Sequence, residues 1–177
     1  MNLRKHSILL VGLLLVVLVG AFVFVTKNTS TQAITSFDQC VAAGNPILES
    51  YPPKCQLENG TSFTQDIGNE LDLSEMIVSE NPRPNQVVTS PLMLKGRARG
   101  NYFFEASFPA TLLDADGKVL AEGFVTAEGE WMTEDFVPYS GELTFTPTTE
   151  TGTLLLMRNN PSDKRENDMT LEIPVVF

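Results

Sequence analysis

Hydrophobic and polar positions give this chain two contrasting halves. Near the start, Ile8–Val25 read ILLVGLLLVVLVGAFVFV, eighteen positions with no charged or polar side chain. From Met76 onward, apolar residues instead come in short alternating runs cut by Pro and Gly. In FFEASFPATLL, Phe104, Ala106, Phe108, Ala110 and Leu112 share one phase. Period-2 alternation predicts that this set faces a core and that Phe103 and Glu105 face away. The closing run MTLEIPVVF alternates as cleanly, with Met169, Leu171, Ile173, Val175 and Phe177 as its inward set. Pro174 has no N–H to give to a ladder, which predicts that this strand lies at an edge.

Between these runs the turn signals are local and strong. Asp116-Gly117 lies between Phe103–Leu113 and Lys118–Thr126 and predicts a hairpin, as does Asn59-Gly60 in CQLENGTSFTQ. Gln86–Ala98 reads as a strand interrupted at Pro91. Glu130–Val137, Glu142–Thr146 and Thr153–Arg158 read as further strands, separated by Pro138, Gly141, Pro147 and Gly152. Short strands without any helical period predict a mainly β chain, an immunoglobulin-like antiparallel sandwich.

The N-terminal run has spanning length. At ~1.5 Å per residue it extends about 27 Å, close to the ~30 Å hydrocarbon core. It follows Arg4, Lys5 and His6, and the best small-x-small cleavage candidate, Thr31-Gln32-Ala33, lies well beyond it. An uncleaved transmembrane helix therefore fits better than a cleaved export signal. The basic flank stays inside, which puts everything from Lys27 onward outside the bacterial cytoplasmic membrane.

That compartment decides the chemistry of the two cysteines, Cys40 and Cys55. Two thiols cannot make a four-ligand zinc site, and the only histidine, His6, is on the inner side. A redox pair would more typically be spaced C-x-x-C. A disulfide fits best, and closing such a loop stabilises by ~3 kcal/mol in the chain-entropy model. The organisation expected is a tail and anchor over 1–27, a polar stalk over 28–36, a stapled module over 37–65, an acidic linker over 66–75 and the β domain over 76–177. Residues 1–27 hold three of the twelve basic residues and no acid, leaving nine against 22 outside and a net charge of −13. Such an exterior disfavours nucleic acid and anionic lipid as partners.

VVTSPLMLKGRA, FFEASFPATLLDADGKVL, GEWMTEDF, the RNNPS run and the final IPVVF together resemble the GerMN-associated immunoglobulin-like domain of bacterial spore-germination proteins, over residues 76–177. The resemblance implies an envelope domain with a sandwich fold and no known catalytic residues. The GerMN domain itself is not recognisable, so a sporulation role does not carry over. The segment F-x-x-C-V-x-A-G-x-P…Y-P-x-x-C…G-x-x-F is similar to a small two-cysteine module of exported bacterial proteins.

Candidate chemistry is sparse. Without an exterior histidine, Ser-His-Asp and Cys-His catalysis have no base, and no nucleophile or phosphate-loop motif is present. No cofactor is expected. Simple strand alternation puts the loop of Arg97, Arg99, Asn101 and Tyr102 at the end opposite the loop of Arg158, Lys164 and Arg165. The same count gathers Asp114, Asp116, Asp163, Glu166 and Asp168, a weak calcium candidate lacking any fixed-spacing loop. Tyr102, Phe103 and Trp131 are the candidate partner surface. The expectation is a membrane-anchored, non-catalytic envelope protein recognising another protein or a cell-wall polymer. The alternative is an extracellular protease inhibitor acting through the Cys40–Cys55 loop, constrained by Pro52 and Pro53.

Overall fold

The structure, a computed structural model, describes residues 33–162 and 164–177. The expected anchor Ile8–Val25, its basic flank, most of the stalk and Asp163 lie outside the described residues. Among the described residues no helix is long and apolar enough to cross a membrane.

The stapled module begins with α1 (Phe37–Ala42), whose first turn is capped by Ser36: its hydroxyl accepts from the Gln39 N–H at 3.2 Å. Three short strands follow, β1 (Ile47–Leu48), β2 (Lys54–Gln56) and β3 (Ser62–Thr64), antiparallel and in that spatial order. The Asn59-Gly60 turn joins β2 to β3 as expected, with the Leu57 N–H donating to Thr61 O at 2.8 Å. Cys40 on α1 and Cys55 on β2 form the disulfide, both fully buried, with 6.0 Å between their Cα atoms. A module this small has little apolar core, so the staple takes over part of the core's role.

The remaining strands are β4 (Ile77–Asn81), β5 (Gln86–Val87), β6 (Leu92–Arg99), β7 (Ser107–Asp114), β8 (Val119–Ala127), β9 (Phe136–Leu143), β10 (Thr151–Met157) and β11 (Thr170–Val176). They form one continuous sheet in the order β4-β6-β9-β8-β7-β10-β11-β5. This differs from two separate sheets, because β8 pairs with both β7 and β9 and joins the halves. The sheet must curl. Strands β4 and β5 stand at its two ends, about 34 Å apart if it were flat, yet four residues connect them, with a reach of about 18 Å. Curling brings the inner faces together, so that the Phe108 ring on β7 meets Tyr139 on β9 at 5.1 Å, edge to face.

Alternation along β6, β10 and β11 sends Leu94, Ala98, Leu154, Leu156, Leu171 and Ile173 into this core, all at most 1% exposed. The inward set of the last strand is as expected, with Met169 and Phe177 half-buried against it. Strand β11 is next to the edge, and only the two-residue β5 lies beyond it.

Two strand expectations are corrected. First, β9 runs without a break through Pro138 and Gly141. The Pro138 carbonyl accepts from the Glu128 N–H at 2.8 Å, so its polar groups face β8 where that ladder has ended at Ala127, and no donor is missed. Second, Phe103 faces the core at 4% exposure while Phe104 is 41% exposed, the reverse of the phase expected. Glu105 and Ala106 both take positive φ, 50° and 60°, in a two-residue turn, and Phe104 and Ser107 exchange both backbone hydrogen bonds. Alternation therefore starts only at Ser107, and Phe103 packs with its ring 5.1 Å from Phe108.

The acidic stretch 66–75 is a turn-rich strap seated on β11. The Asn69 side chain donates to Thr170 O at 2.8 Å and accepts from the Glu172 N–H at 2.8 Å, in place of a strand neighbour. Gly68, at φ +68°, lies so close that a Cβ would overlap the Glu172 carbonyl oxygen. Leu73 adds to the main core, and Ser36–Phe177 forms one compact unit.

Candidate functional site

Strand β6 enters the short Gly100–Tyr102 turn and the 103–106 connection, β8 leads into loop 128–135, and β10 leads into loop 158–169. The three meet at one end of the curled sheet. The Arg158 Nε–H donates to Asn101 O at 3.0 Å and the Asn159 N–H to Tyr102 O at 3.1 Å. Across the other flank, the Gly100 N–H donates to Asp135 O at 3.2 Å and Arg99 Nη1 to Glu134 O at 3.2 Å. The strand count behind the opposite-ends expectation is thus corrected: with β9 a single strand, four strands separate the two basic loops, and an even number returns the chain to the same end.

The same count divides the calcium candidates. Asp114 and Asp116 lie at the far end, Glu166 and Asp168 at the loop end. Asp114 caps the β7–β8 hairpin, accepting from the Asp116 and Lys118 N–H groups, and takes the Thr148 hydroxyl at 2.6 Å. That hydroxyl first, then the Lys118 N–H, holds its carboxyl below the usual range. Asp168 accepts from Asn160 Nδ2 at 2.7 Å. Among the described residues, no three acidic, cysteine or histidine side chains converge as a metal would need.

Of the three expected surface aromatics, two are core. Tyr102 is fully buried, its hydroxyl donating to Leu156 O at 2.8 Å, and burial pushes the phenol far above its ordinary pKa. Phe103 lines an open cleft of about 340 Å³ together with Gly100, Asn101 and Trp131–Glu134. Trp131 is half-buried against the core, and the adjacent Met132 is 75% exposed. Met132 was not singled out from sequence, although its place beside the only tryptophan in an acidic loop was a usable signal. Gly100 permits the arrangement, because a Cβ there would overlap the carbonyl oxygens of Trp131 and Thr133.

Beneath the loops, the Arg99 guanidinium stacks 4.2 Å from the centre of the Phe136 ring and donates to the Glu75 carbonyl at 3.0 Å. Among the described residues every buried side-chain nitrogen and oxygen has a hydrogen-bond partner. The loop end presents shape, apolar surface and charge, the properties used for binding.

A curled sheet, antiparallel except for the parallel β11–β5 pair, whose strands turn back around one core with loops gathered at its ends, defines an immunoglobulin-like β domain. The chain belongs to the family described as the immunoglobulin-like domain of bacterial spore germination, which matches residues 76–165. No curated protein and no solved structure matches it.

Proposed function

We infer that this is a non-catalytic binding or structural protein of the bacterial cell envelope, anchored through Ile8–Val25, with Ser36–Phe177 displayed outside the cytoplasmic membrane. The observation that carries this reading is the loop end: three loops bonded to one another hold Trp131 and Met132 beside an open cleft. The buried disulfide suits an oxidising exterior. The partner is a protein or a cell-wall polymer. Immobilised Ser36–Phe177 exposed to envelope extract, in parallel with purified peptidoglycan, separates the two, and retention of neither would refute the reading. A C-terminal alkaline phosphatase fusion checks the side of the membrane, with activity expected.

The inhibitor alternative gains no support from the loop it needs. Its Tyr-Pro-Pro corner is turned toward the strap, where the Tyr51 hydroxyl donates to Glu70 and accepts from Arg83 Nη2 at 3.3 Å. That tie gives the corner a structural role, while the Tyr51 side chain itself stays 52% exposed.

A further inference from the structure

The geometry points to the cleft beside Trp131 as the docking site for a cationic polypeptide segment carrying one apolar anchor. This rests on the envelope-binding reading and gives its partner a chemistry. Loop 128–135 reads EGEWMTED, with Glu128, Glu130, Glu134 and Asp135 all exposed and no basic residue among them. Among the described residues the ion-paired acids are Glu70, Glu75 and Glu80, so these four carboxylates are uncompensated. Two nearby cations are already engaged, Arg99 by the Glu75 and Glu134 carbonyls and the Phe136 ring, and Arg97 by the Glu80 carboxylate at 3.2 Å and the same ring. Arg158 is held by its bond to the Asn101 carbonyl.

The apolar part complements this rim. An exposed methionine next to a half-buried tryptophan, with Phe103 in the same lining, is the composition of an interface centre, not of ordinary surface. A volume of about 340 Å³ accommodates one aromatic or long aliphatic side chain. The loop is also preorganised. The Met132 N–H donates to Glu130 Oε1 at 2.9 Å, the Thr133 N–H to Trp131 O at 2.8 Å and the Asp135 N–H to Thr133 Oγ1 at 3.2 Å, which lowers the ordering cost of binding. An anionic wall polymer would meet four unpaired carboxylates, so the rim favours a basic protein segment.

Trp131 is the only tryptophan, so fluorescence of the full chain in nonionic detergent, excited selectively at tryptophan, reports this cleft. The probes are a Lys/Phe peptide, a Lys/Gly peptide, a Glu/Phe peptide and soluble peptidoglycan fragments. The expected result is a saturable change with Lys/Phe, roughly tenfold weaker or absent for each other probe, and weakening with added salt. Met132→Ala, and separately Glu130→Gln with Glu134→Gln, should each weaken binding by roughly tenfold. These side chains are exposed, and an unchanged melting curve verifies the fold. Equal response to Lys/Gly or Glu/Phe, a response to peptidoglycan alone, or no response to any probe overturns the proposal. If no probe responds while envelope protein is still retained by Ser36–Phe177, the site fails and the envelope-binding reading stands; loss of both removes both.

Discussion

The carboxylate of Glu70 lies 2.8 Å from the guanidinium of Arg83, and its second oxygen accepts the Tyr51 hydroxyl. Three segments distant in sequence meet here: the disulfide loop, the strap and the β4–β5 connection. Glu70 is 7% exposed, so its partners replace most of the water it loses on folding. Tyr51→Phe should cost about 1 kcal/mol and Glu70→Ala about 1–3 kcal/mol. A double-mutant cycle between Tyr51 and Arg83, read by urea denaturation, should give a coupling of about 0.5 kcal/mol or more. Strict additivity would mean that the clasp does not act as a unit.

Reduction of Cys40–Cys55 should not remain confined to the module. The Tyr51 clasp and the Asn69 bonds extend the module's influence to β11. Hydrogen exchange with reductant should show lost protection over 41–63 and at the Glu172 amide, which bonds to Asn69 Oδ1, while Leu112 and Val125 stay protected. Protection of Glu172 unaffected by reductant would show that the strap is held independently of the staple.

Glu105 and Ala106 occupy left-handed backbone that side chains with a Cβ adopt at a cost. Asn-Gly is the preferred pair for a two-residue turn with this φ pattern. The Glu105→Asn, Ala106→Gly double variant should therefore stabilise by about 1 kcal/mol, seen as a higher melting temperature. A lower melting temperature would mean that the Glu105 or Ala106 side chain makes a contribution larger than the strain.

Burial raises the phenols of Tyr102 and Tyr139. A raised folded pKa contributes stability that is complete below the unfolded value near 10 and lost as pH climbs above it. Melting temperature should be insensitive to these groups from pH 7 to about 9 and fall above pH 10. Tyr102→Phe should flatten that fall, at a cost of about 1 kcal/mol at neutral pH for its lost bonds to Leu156 O and Met169 O.

Asp114 works in the opposite direction. Its lowered carboxyl contributes stability above the ordinary carboxylate pKa, and loses it as pH falls through the lower folded value. Thr148→Ala should move the Asp114 midpoint up toward the ordinary range, followed by side-chain carboxyl NMR. A midpoint unmoved by the substitution would assign the shift to the hairpin N–H groups instead.

What the sequence determined by itself was local. The Asn59-Gly60 and Asp116-Gly117 turns follow from residues within a few positions of each other, and so does the inward set Leu171, Ile173 and Val175. The staple followed from compartment and cysteine count. The family likeness was legible through an ordered series of short motifs. The loop end was half legible: Trp131 was singled out, but Met132 was not. Only the tertiary structure decided that Pro138 sits inside one strand, because its missing N–H is harmless only where the neighbouring ladder ends at Ala127. That one continuity changed the strand parity, bringing Asn101 to Arg158 and parting Asp114 from Asp168. Likewise, Phe103 turns inward because the core offers it the Phe108 ring and Glu105-Ala106 can be held at positive φ, with the Asn159 amide donating to Phe104 O at 3.4 Å. Contacts between separate strands and loops settle these positions, up to Asn159 on Phe104 across 55 residues, and period and turn signals do not express them.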